Sequence, residues 1–240
     1  MRIHHTPLQA AIIDLDGTMV DTLGDFEVAL NRMLADLDLP PLTRALVART
    51  VGKGSEHLIR SVLIHQLALP EVTGLTNVCH ARSAESLYEA AWQRYQHHYL
   101  AINGEFAAVY PGVEAGLQAL RDAGLQLACL TNKPLSFAKP LLQAKRLDAF
   151  FPHVFGGDSF ARKKPDPLPL LKTCEALGVR PAQALMVGDS SNDAQAARAA
   201  GCPVVLVRYG YNHGEPVDGV EADAHVDTLT HIAQALAGQV

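Results

Sequence analysis

The sequence predicts an α/β fold, in which a doubly wound, Rossmann-like parallel sheet carries an all-helical segment inserted after its first strand. From residue 110 onward, short apolar runs alternate with helical patterns, which is typical of a parallel sheet built from strand–helix units. Another apolar run, at residues 10–13, precedes a stretch that has helical spacing and no strand pattern. We therefore expect a core of residues 1–20 and 105–240, and an inserted helical domain of residues 21–104.

The inserted segment begins with apolar residues at helical spacing, namely Phe26, Leu30, Met33, Leu34 and Leu37. Pro40 and Pro41 interrupt this pattern, because proline lacks an amide hydrogen and disfavours a helical residue before it. A glycine-flanked loop, Gly52-Lys53-Gly54, separates two later helices. Helices are predicted at residues 25–39, 44–50, 56–67 and 83–100.

The second half of the chain alternates between strands and helices. Strands are predicted at residues 125–130, 154–157, 184–188 and 204–207, and helices at residues 113–123, 136–145, 168–177 and 194–200. Glycine follows three of these helices, at Gly124, Gly178 and Gly201, where a left-handed residue commonly ends a helix. The carboxyl ends of parallel strands lie along one edge of the sheet, which is where open α/β sheets bind ligands.

Composition excludes several classes of partner. Hydrophobic residues make up 48% of the 240 residues and charged residues 19%, which is typical of a soluble globular protein. The net charge of −5 gives no general attraction to nucleic acid or to an anionic membrane, so neither is expected as a partner. No run predicts a membrane span or a signal peptide, and we expect a cytoplasmic location.

The cysteines and the first histidines suggest no metal site. Cys79, Cys129, Cys174 and Cys202 are far apart and form no CxxC pair, so reduced, buried thiols are expected rather than a disulfide framework or a zinc site. His4 and His5 are expected to lie in a solvated tail.

Polar residues follow three of the predicted strands, at the edge where ligands bind. Asp14 and Asp16 follow the first strand, and residues two apart in an extended chain point the same way, so their carboxylates should converge. Thr131-Asn132-Lys133 follows a second strand, and Asp189 and Asp193 follow a third. Carboxylates held together repel each other unless a cation or a shared proton relieves them. The joint placement favours one shared site.

A basic loop, Arg162-Lys163-Lys164-Pro165, lies between the last two clusters in the sequence and offers positive charge to a phosphate. Simpler interpretations exist for each cluster. An Asp-Gly pair commonly forms a surface turn, Thr131 or Asp189 would also suit a helix cap, and most lysines are solvated. Mg²⁺, which favours one or two carboxylates together with phosphate and water, fits the combined set better.

These motifs together resemble those of the haloacid dehalogenase (HAD) superfamily of phosphohydrolases. Four segments match the superfamily's motifs in order, namely Asp14-Leu15-Asp16-Gly17-Thr18, Leu130-Thr131-Asn132, Lys164-Pro165 and Gly188-Asp189-Ser190-Ser191-Asn192-Asp193. The inserted helices resemble its C1-type cap domain. The resemblance implies a HAD core with a helical cap and a two-step phosphoryl transfer.

By this resemblance, Asp14 is the expected nucleophile and forms an aspartyl-phosphate. Asp16 is expected to protonate the leaving oxygen and then to activate water. Thr131, Asn132 and Lys164 are expected to bind the phosphoryl oxygens and to stabilise the charge of the transition state.

The implied cofactor is Mg²⁺, which lets an anionic nucleophile approach an anionic phosphate. Its expected ligands are Asp14, the backbone carbonyl of Asp16, and Asp189. Asp193 is expected to support the water shell of the metal or to orient Lys164. An intact Asp14/Asp16 pair favours phosphate ester hydrolysis or a phosphomutase, since dehalogenases of this superfamily do not need the second carboxylate.

Within the superfamily, the chain resembles the bacterial phosphoglycolate phosphatases at residues 39–43, 51–54, 110–113, 131–134 and 209–212. Phosphoglycolate carries a carboxylate beside its phosphate, so a cationic cap residue would suit it, and Gly52 and Lys53 are the expected substrate-binding residues of the cap. That family often has an acidic residue followed by arginine in the next helix, whereas this chain has Arg60-Ser61. Sugar phosphates, nucleotides and pyrophosphate therefore remain alternative substrates.

The expected partner is thus a small anionic phosphorylated metabolite, and the expected assembly is a monomer or a homodimer. Two other classes of function stay open. A β-phosphoglucomutase-like phosphotransferase would need an aspartyl-phosphate that survives water, together with polar residues that bind a sugar. A phosphate-binding regulator would need neither the helical insertion nor Asp16, so both features argue against it.

Overall fold

The computed structural model describes residues 7–73 and 82–237, so the expectations for His4, His5 and Cys79 lie outside the described residues. The strands are β1 (Ala10–Ile13), β2 (Val20–Asp21), β3 (Ala108–Val109), β4 (Gln126–Leu130), β5 (His153–Phe155), β6 (Ala184–Gly188), β7 (Val204–Val207) and β8 (Ala224–Val226). The helices are α1 (Leu23–Ala35), α2 (Arg44–Thr50), α3 (Ser55–Leu67), α4 (Pro70–Thr73), α5 (Ala84–Ile102), α6 (Val113–Asp122), α7 (Leu135–Ala144), α8 (Leu168–Leu177), α9 (Ser191–Ala200) and α10 (Leu229–Ala237).

Six strands form the main sheet, in the order β5-β4-β1-β6-β7-β8, and every described pair in it is parallel. The strand order reverses direction at β1, and the sheet is doubly wound as expected. Side chains of β1 alternate between two buried clusters, with Ala11 and Ile13 on one face and Ala10 and Ile12 on the other. Both faces are apolar because helices cover each of them.

The helices between β2 and β3 bury a separate cluster of side chains. Phe26, Leu30 and Met33 of α1 pack in it with residues of α2, α3 and α5, among which Tyr95 and Tyr99 are fully buried. The apolar spacing that predicted these helices is therefore the face they bury. No helix in the described ranges is long and apolar enough to span a membrane.

The structure differs from the sequence prediction at the junction between the two parts. Asp21 belongs to β2, which pairs antiparallel with β3, so the expectation of no strand between residues 21 and 104 is wrong at its first residue. A two-residue strand is too short to produce a period in the sequence. Strand β8, of three residues, also had no counterpart in the sequence prediction.

Helix α9 also begins three residues earlier than predicted, at Ser191 instead of Ala194. Ser190 is its N-cap, and Asp193 accepts hydrogen bonds from the Ser190 backbone N–H and hydroxyl, 3.2 and 2.8 Å away. This capping box draws the polar residues of the fourth motif into the first turn of the helix.

Candidate active site

The three polar clusters of the sequence lie side by side because their strands are neighbours in the sheet. In the observed register, Ile13 of β1 lies beside Cys129 of β4 and Val187 of β6. The backbone N–H of Asp14 donates to the carbonyl of Val187 at 2.9 Å, which extends the ladder by one residue. Asp14, Thr131 and the start of the fourth motif therefore emerge at one edge of the sheet.

This edge opens into a cavity of about 40 Å³, which we call the central cavity. A space of this size holds only a few water molecules. The predicted site residues that line it are Asp14, Asp16, Gly52, Thr131, Asn132, Lys164, Asp189 and Asp193. Lys53 is exposed and does not line the central cavity, so its contact with a substrate stays a prediction.

Lys164 is a buried cation rather than a solvated surface lysine, with 4% of its surface exposed. Its Nζ donates to Asp14 Oδ1 at 2.8 Å, to Asp193 Oδ1 at 2.7 Å and to the carbonyl of Leu130 at 2.9 Å. Burial alone would lower the pKa of this ammonium, but Asp14 and Asp193 raise it above its usual value. Lys164 is therefore charged, and each of its three N–H groups donates a hydrogen bond within the protein.

Asp14, Asp189 and Asp193 form a buried acidic cluster, with one carboxylate oxygen of each within 4.8 Å of the others. Burial raises the pKa of Asp14 to about 7, although the Lys164 ammonium opposes the shift. Burial also raises the pKa of Asp189 well above its usual value, and the charges of Asp193 and Asp14 raise it further. Because the cluster offers only oxygen donors and excess negative charge, it fits a hard divalent cation.

Two glycines allow Asp189 to reach this cluster. A Cβ atom on Gly17 would lie 2.3 Å from Asp189 Oδ2, and one on Gly210 would lie 2.1 Å from Asp189 Cβ. The backbone N–H of Tyr211 donates to Asp189 Oδ2 at 2.7 Å, and Thr18 Oγ1 donates to Oδ1 at 3.2 Å. Asp189 is thus held by neighbouring segments and does not cap α9, whose N-cap is Ser190.

Asp16 is oriented by two donors on the same oxygen. Thr22 Oγ1 donates to Asp16 Oδ1 at 2.7 Å, and Lys133 Nζ donates to it at 2.8 Å. Within the described ranges, these are the side-chain hydrogen bonds that the Asp16 carboxylate accepts, so Oδ2 is left for a ligand. Lys133 is nearly buried, with its Nζ 4.4 Å from the ring centroid of Phe26 and 4.6 Å from that of Tyr99.

The loop before α3 closes over the central cavity through its backbone. The carbonyl of Gly52 accepts hydrogen bonds from Asn132 Nδ2 at 3.1 Å and from Asn192 Nδ2 at 3.2 Å. The Nδ1 of His213 lies 2.9 Å from the carbonyl of Val51. Gly52 has a φ of 108°, a conformation that favours glycine, and this turns its carbonyl toward the sheet edge.

Thr131 does not cap the following helix, since Pro134 occupies the N-cap position of α7. The Thr131 hydroxyl oxygen accepts a hydrogen bond from the backbone N–H of Lys133 at 3.2 Å and lies at the cavity wall. Two arginines near the cap loop in sequence form ion pairs with acidic side chains, Arg44 with Asp21 and Arg60 with Glu85.

Comparison with known proteins identifies the family. The family model described as "haloacid dehalogenase-like hydrolase" matches residues 8–201. The chain belongs to this family. It is 45% identical to a plasmid-encoded phosphoglycolate phosphatase of Cupriavidus necator over 93% of this chain and 90% of that protein. It is 40% identical to a phosphoglycolate phosphatase of Thiobacillus denitrificans over 97% of each chain.

A solved structure supports the same assignment. The crystal structure of a predicted phosphoglycolate phosphatase from Haemophilus somnus is 31% identical, with a TM-score of 0.87 over 97% of this chain and 99% of that one. The HAD-like family, its α/β fold and the class of phosphoric monoester hydrolases, all expected from the motifs, are thereby confirmed.

Among the lining residues to which the sequence assigned no role are Lys133, Asn192, Tyr211 and His213. Asn192 stands inside the fourth motif and Lys133 directly follows the second, which was an available signal. Tyr211 and His213 come from the segment after β7, and their hydrogen bonds to the cap segment depend on a loop path that no periodic pattern describes.

Proposed function

We propose that this HAD-like hydrolase cleaves 2-phosphoglycolate to glycolate and phosphate. The observation that carries the proposal is the pair Asp14 and Asp16 at the end of β1, each bonded to its own buried lysine beside one small cavity. The phosphoglycolate phosphatases named above support this choice of substrate, since they align with nearly the whole chain.

In the proposed reaction, an oxygen of Asp14 attacks phosphorus, and the bond from phosphorus to the ester oxygen of the substrate breaks. Asp16 gives a proton to that oxygen through its Oδ2 atom, because Thr22 and Lys133 both donate hydrogen bonds to Oδ1. Glycolate then leaves. Asp16 next takes a proton from a water molecule, which attacks phosphorus, releases phosphate and restores the Asp14 carboxylate.

Lys164, Thr131 and Asn132 act on the phosphoryl group. Lys164 lies 2.8 Å from Asp14 Oδ1, so its charge is fixed beside the attacking oxygen before substrate arrives. Asn132 is held by bonds from its Nδ2 to the carbonyls of Lys164 and Gly52, at 2.8 and 3.1 Å. Because these groups are already oriented, little reorganisation is needed as charge develops in the transition state.

We assign Mg²⁺ to the acidic cluster, with Asp14, Asp189 and the backbone carbonyl of Asp16 as ligands. The metal supplies charge neutralisation between an anionic nucleophile and an anionic phosphate. Asp193, whose Oδ1 accepts a hydrogen bond from Lys164, orients that lysine and would support the water shell of the metal.

Residues 1–20 and 105–240 form the catalytic core in this proposal, and residues 21–104 form the cap, which brings Gly52 and Lys53 over the substrate. We further expect a cytoplasmic monomer or homodimer that acts on a free metabolite. Cys129, Cys174 and Cys202 are buried.

The test is a side-by-side assay of phosphate release from phosphoglycolate, sugar phosphates, nucleotides and pyrophosphate, with Mg²⁺ or with EDTA. Asp14→Asn should lower kcat/KM by about 10³-fold or more, whereas the exposed control Asp122→Asn should leave it unchanged. Preference for another substrate would overturn the choice of phosphoglycolate. Full activity in EDTA would contradict the proposed requirement for Mg²⁺.

A further inference from the structure

Lys133 is a buried cation to which the proposed chemistry gives no contact with the substrate. It follows Thr131 and Asn132 at the end of β4, and 4% of its surface is exposed. Its Nζ faces the carboxylate of Asp16 and the rings of Phe26 and Tyr99. Burying a lysine is costly unless its charge is paired, and the ion pair that Lys133 makes within the described residues is with Asp16.

The two lysines of the central cavity differ in how many hydrogen bonds they donate to the protein. Lys164 donates three hydrogen bonds, to Asp14, to Asp193 and to the carbonyl of Leu130. Lys133 makes one hydrogen bond within the described residues, to Asp16 Oδ1 at 2.8 Å. An ammonium has three protons, so Lys133 retains the capacity to donate to a ligand.

The two lysines also lie at different ends of the reacting bond. Lys164 touches Asp14, which attacks phosphorus in the proposed reaction, so it lies on the phosphoryl side. Lys133 touches Asp16, which protonates the leaving oxygen, so it lies beside the alcohol part of the substrate. A cation there is positioned to meet an anionic group attached next to the leaving oxygen.

The surroundings strengthen such a contact. Phe26 and Tyr99 stand on α1 and α5 of the cap segment and shield the ammonium from water, which increases the strength of an ion pair. Lys53, which the sequence predicted to bind the substrate, is exposed and does not line the central cavity.

The geometry points to Lys133 as the residue that selects the substrate class, by donating to a carboxylate on the carbon that bears the leaving oxygen. The class is then the phosphate esters of 2-hydroxy acids, of which phosphoglycolate is the smallest. This inference rests on the proposed function, because it places the leaving oxygen beside Asp16.

The test compares phosphoglycolate with 2-hydroxyethyl phosphate, in which a neutral hydroxymethyl group replaces the carboxylate. Lys133→Met should lower kcat/KM for phosphoglycolate by about 100-fold, mainly through KM, and lower it for the neutral ester by less than about 10-fold. The preference for the carboxylated substrate should therefore collapse. Lys139→Met, an exposed lysine on α7, should leave the preference intact.

A second variant distinguishes direct binding of the substrate by Lys133 from an effect of Lys133 on the position of Asp16. Thr22→Val removes the other donor to Asp16 Oδ1 and keeps the Lys133 charge, so kcat/KM should fall by the same factor for both esters. Equal loss on both esters in Lys133→Met would overturn the inference, because the lysine would then act through Asp16. Loss of preference in Lys53→Met instead would also overturn it.

Two measurements cover the remaining outcomes. If Lys133→Met fails to fold, Lys133→Gln keeps a polar side chain without charge and must show the same collapse of preference. If the unaltered protein shows no preference for phosphoglycolate over 2-hydroxyethyl phosphate, the proposed substrate is wrong. If it shows that preference and the Lys133 variants keep it, the role of Lys133 alone is wrong.

Discussion

Removal of divalent metal should make the stability of the folded protein depend on pH, because Asp14 is buried in a crowded acidic cluster. Burial raises its pKa from 3.8 to about 7, so the folded metal-free protein holds a proton that the unfolded chain releases near pH 4. Stability then falls as pH rises between these two values, since the folded state binds more protons than the unfolded state there.

The magnitude follows from the shift. About three pKa units at 1.36 kcal/mol each give on the order of 4 kcal/mol of unfolding free energy lost from about pH 4 to pH 8, and about 3 kcal/mol of this loss falls above pH 5. For a chain of this length, that corresponds to a melting temperature lower by about 10 °C. Asp189, whose pKa burial also raises, adds to the loss. A bound divalent cation should remove most of it, because the cation stabilises the ionised carboxylates.

The assay is thermal or urea unfolding at pH 5 and pH 8, with EDTA or with Mg²⁺. Burial lowers the pKa of His57 and His213, which opposes the trend, so the decisive quantity is the difference between the unaltered protein and Asp14→Asn. In EDTA the variant should lose less stability toward pH 8. Asp122→Asn should behave like the unaltered protein. Equal slopes in the unaltered protein and Asp14→Asn would refute the reasoning.

Two further predictions concern stability and metal affinity. Asp25→Ala should lower the unfolding free energy by about 2–4 kcal/mol in urea titrations, because the buried Asp25 carboxylate accepts hydrogen bonds from the backbone N–H groups of Gly104 and Phe106, each at 2.7 Å; an unchanged midpoint would contradict this. Gly210→Ala should weaken Mg²⁺ affinity by about 10-fold or more, measured as the Mg²⁺ dependence of activity, because its Cβ would lie 2.1 Å from Asp189 Cβ. An unchanged Mg²⁺ dependence would contradict this prediction.

The sequence predicted the sheet and the core of the site because both depend on local patterns. Strands such as β6 are short apolar runs bounded by turn residues, and a parallel sheet brings their carboxyl ends to one edge whatever the loops do. Asp14, Thr131 and Asp189 each follow such a strand directly, so their meeting required no knowledge of side-chain packing.

The cap side of the site could not be predicted in the same way. Gly52 reaches the central cavity through its carbonyl, and Lys53, the next residue, points to solvent, a difference that depends on one backbone turn. Lys133 was visible beside Thr131, but its burial results from Phe26 and Tyr99, which are far away in the sequence. Long-range packing of this kind leaves no period in the chain.

The central claim is that Asp14 carries the phosphoryl group, and a trapping experiment tests it directly. The protein is mixed with ³²P-labelled phosphoglycolate and Mg²⁺, quenched in acid within one turnover, reduced with borohydride in a parallel sample, and digested for mass spectrometry. The account predicts label on the peptide that contains Asp14 and conversion of Asp14 to homoserine after reduction. Release of phosphate with no labelled protein at any time, or label on another residue, would contradict it.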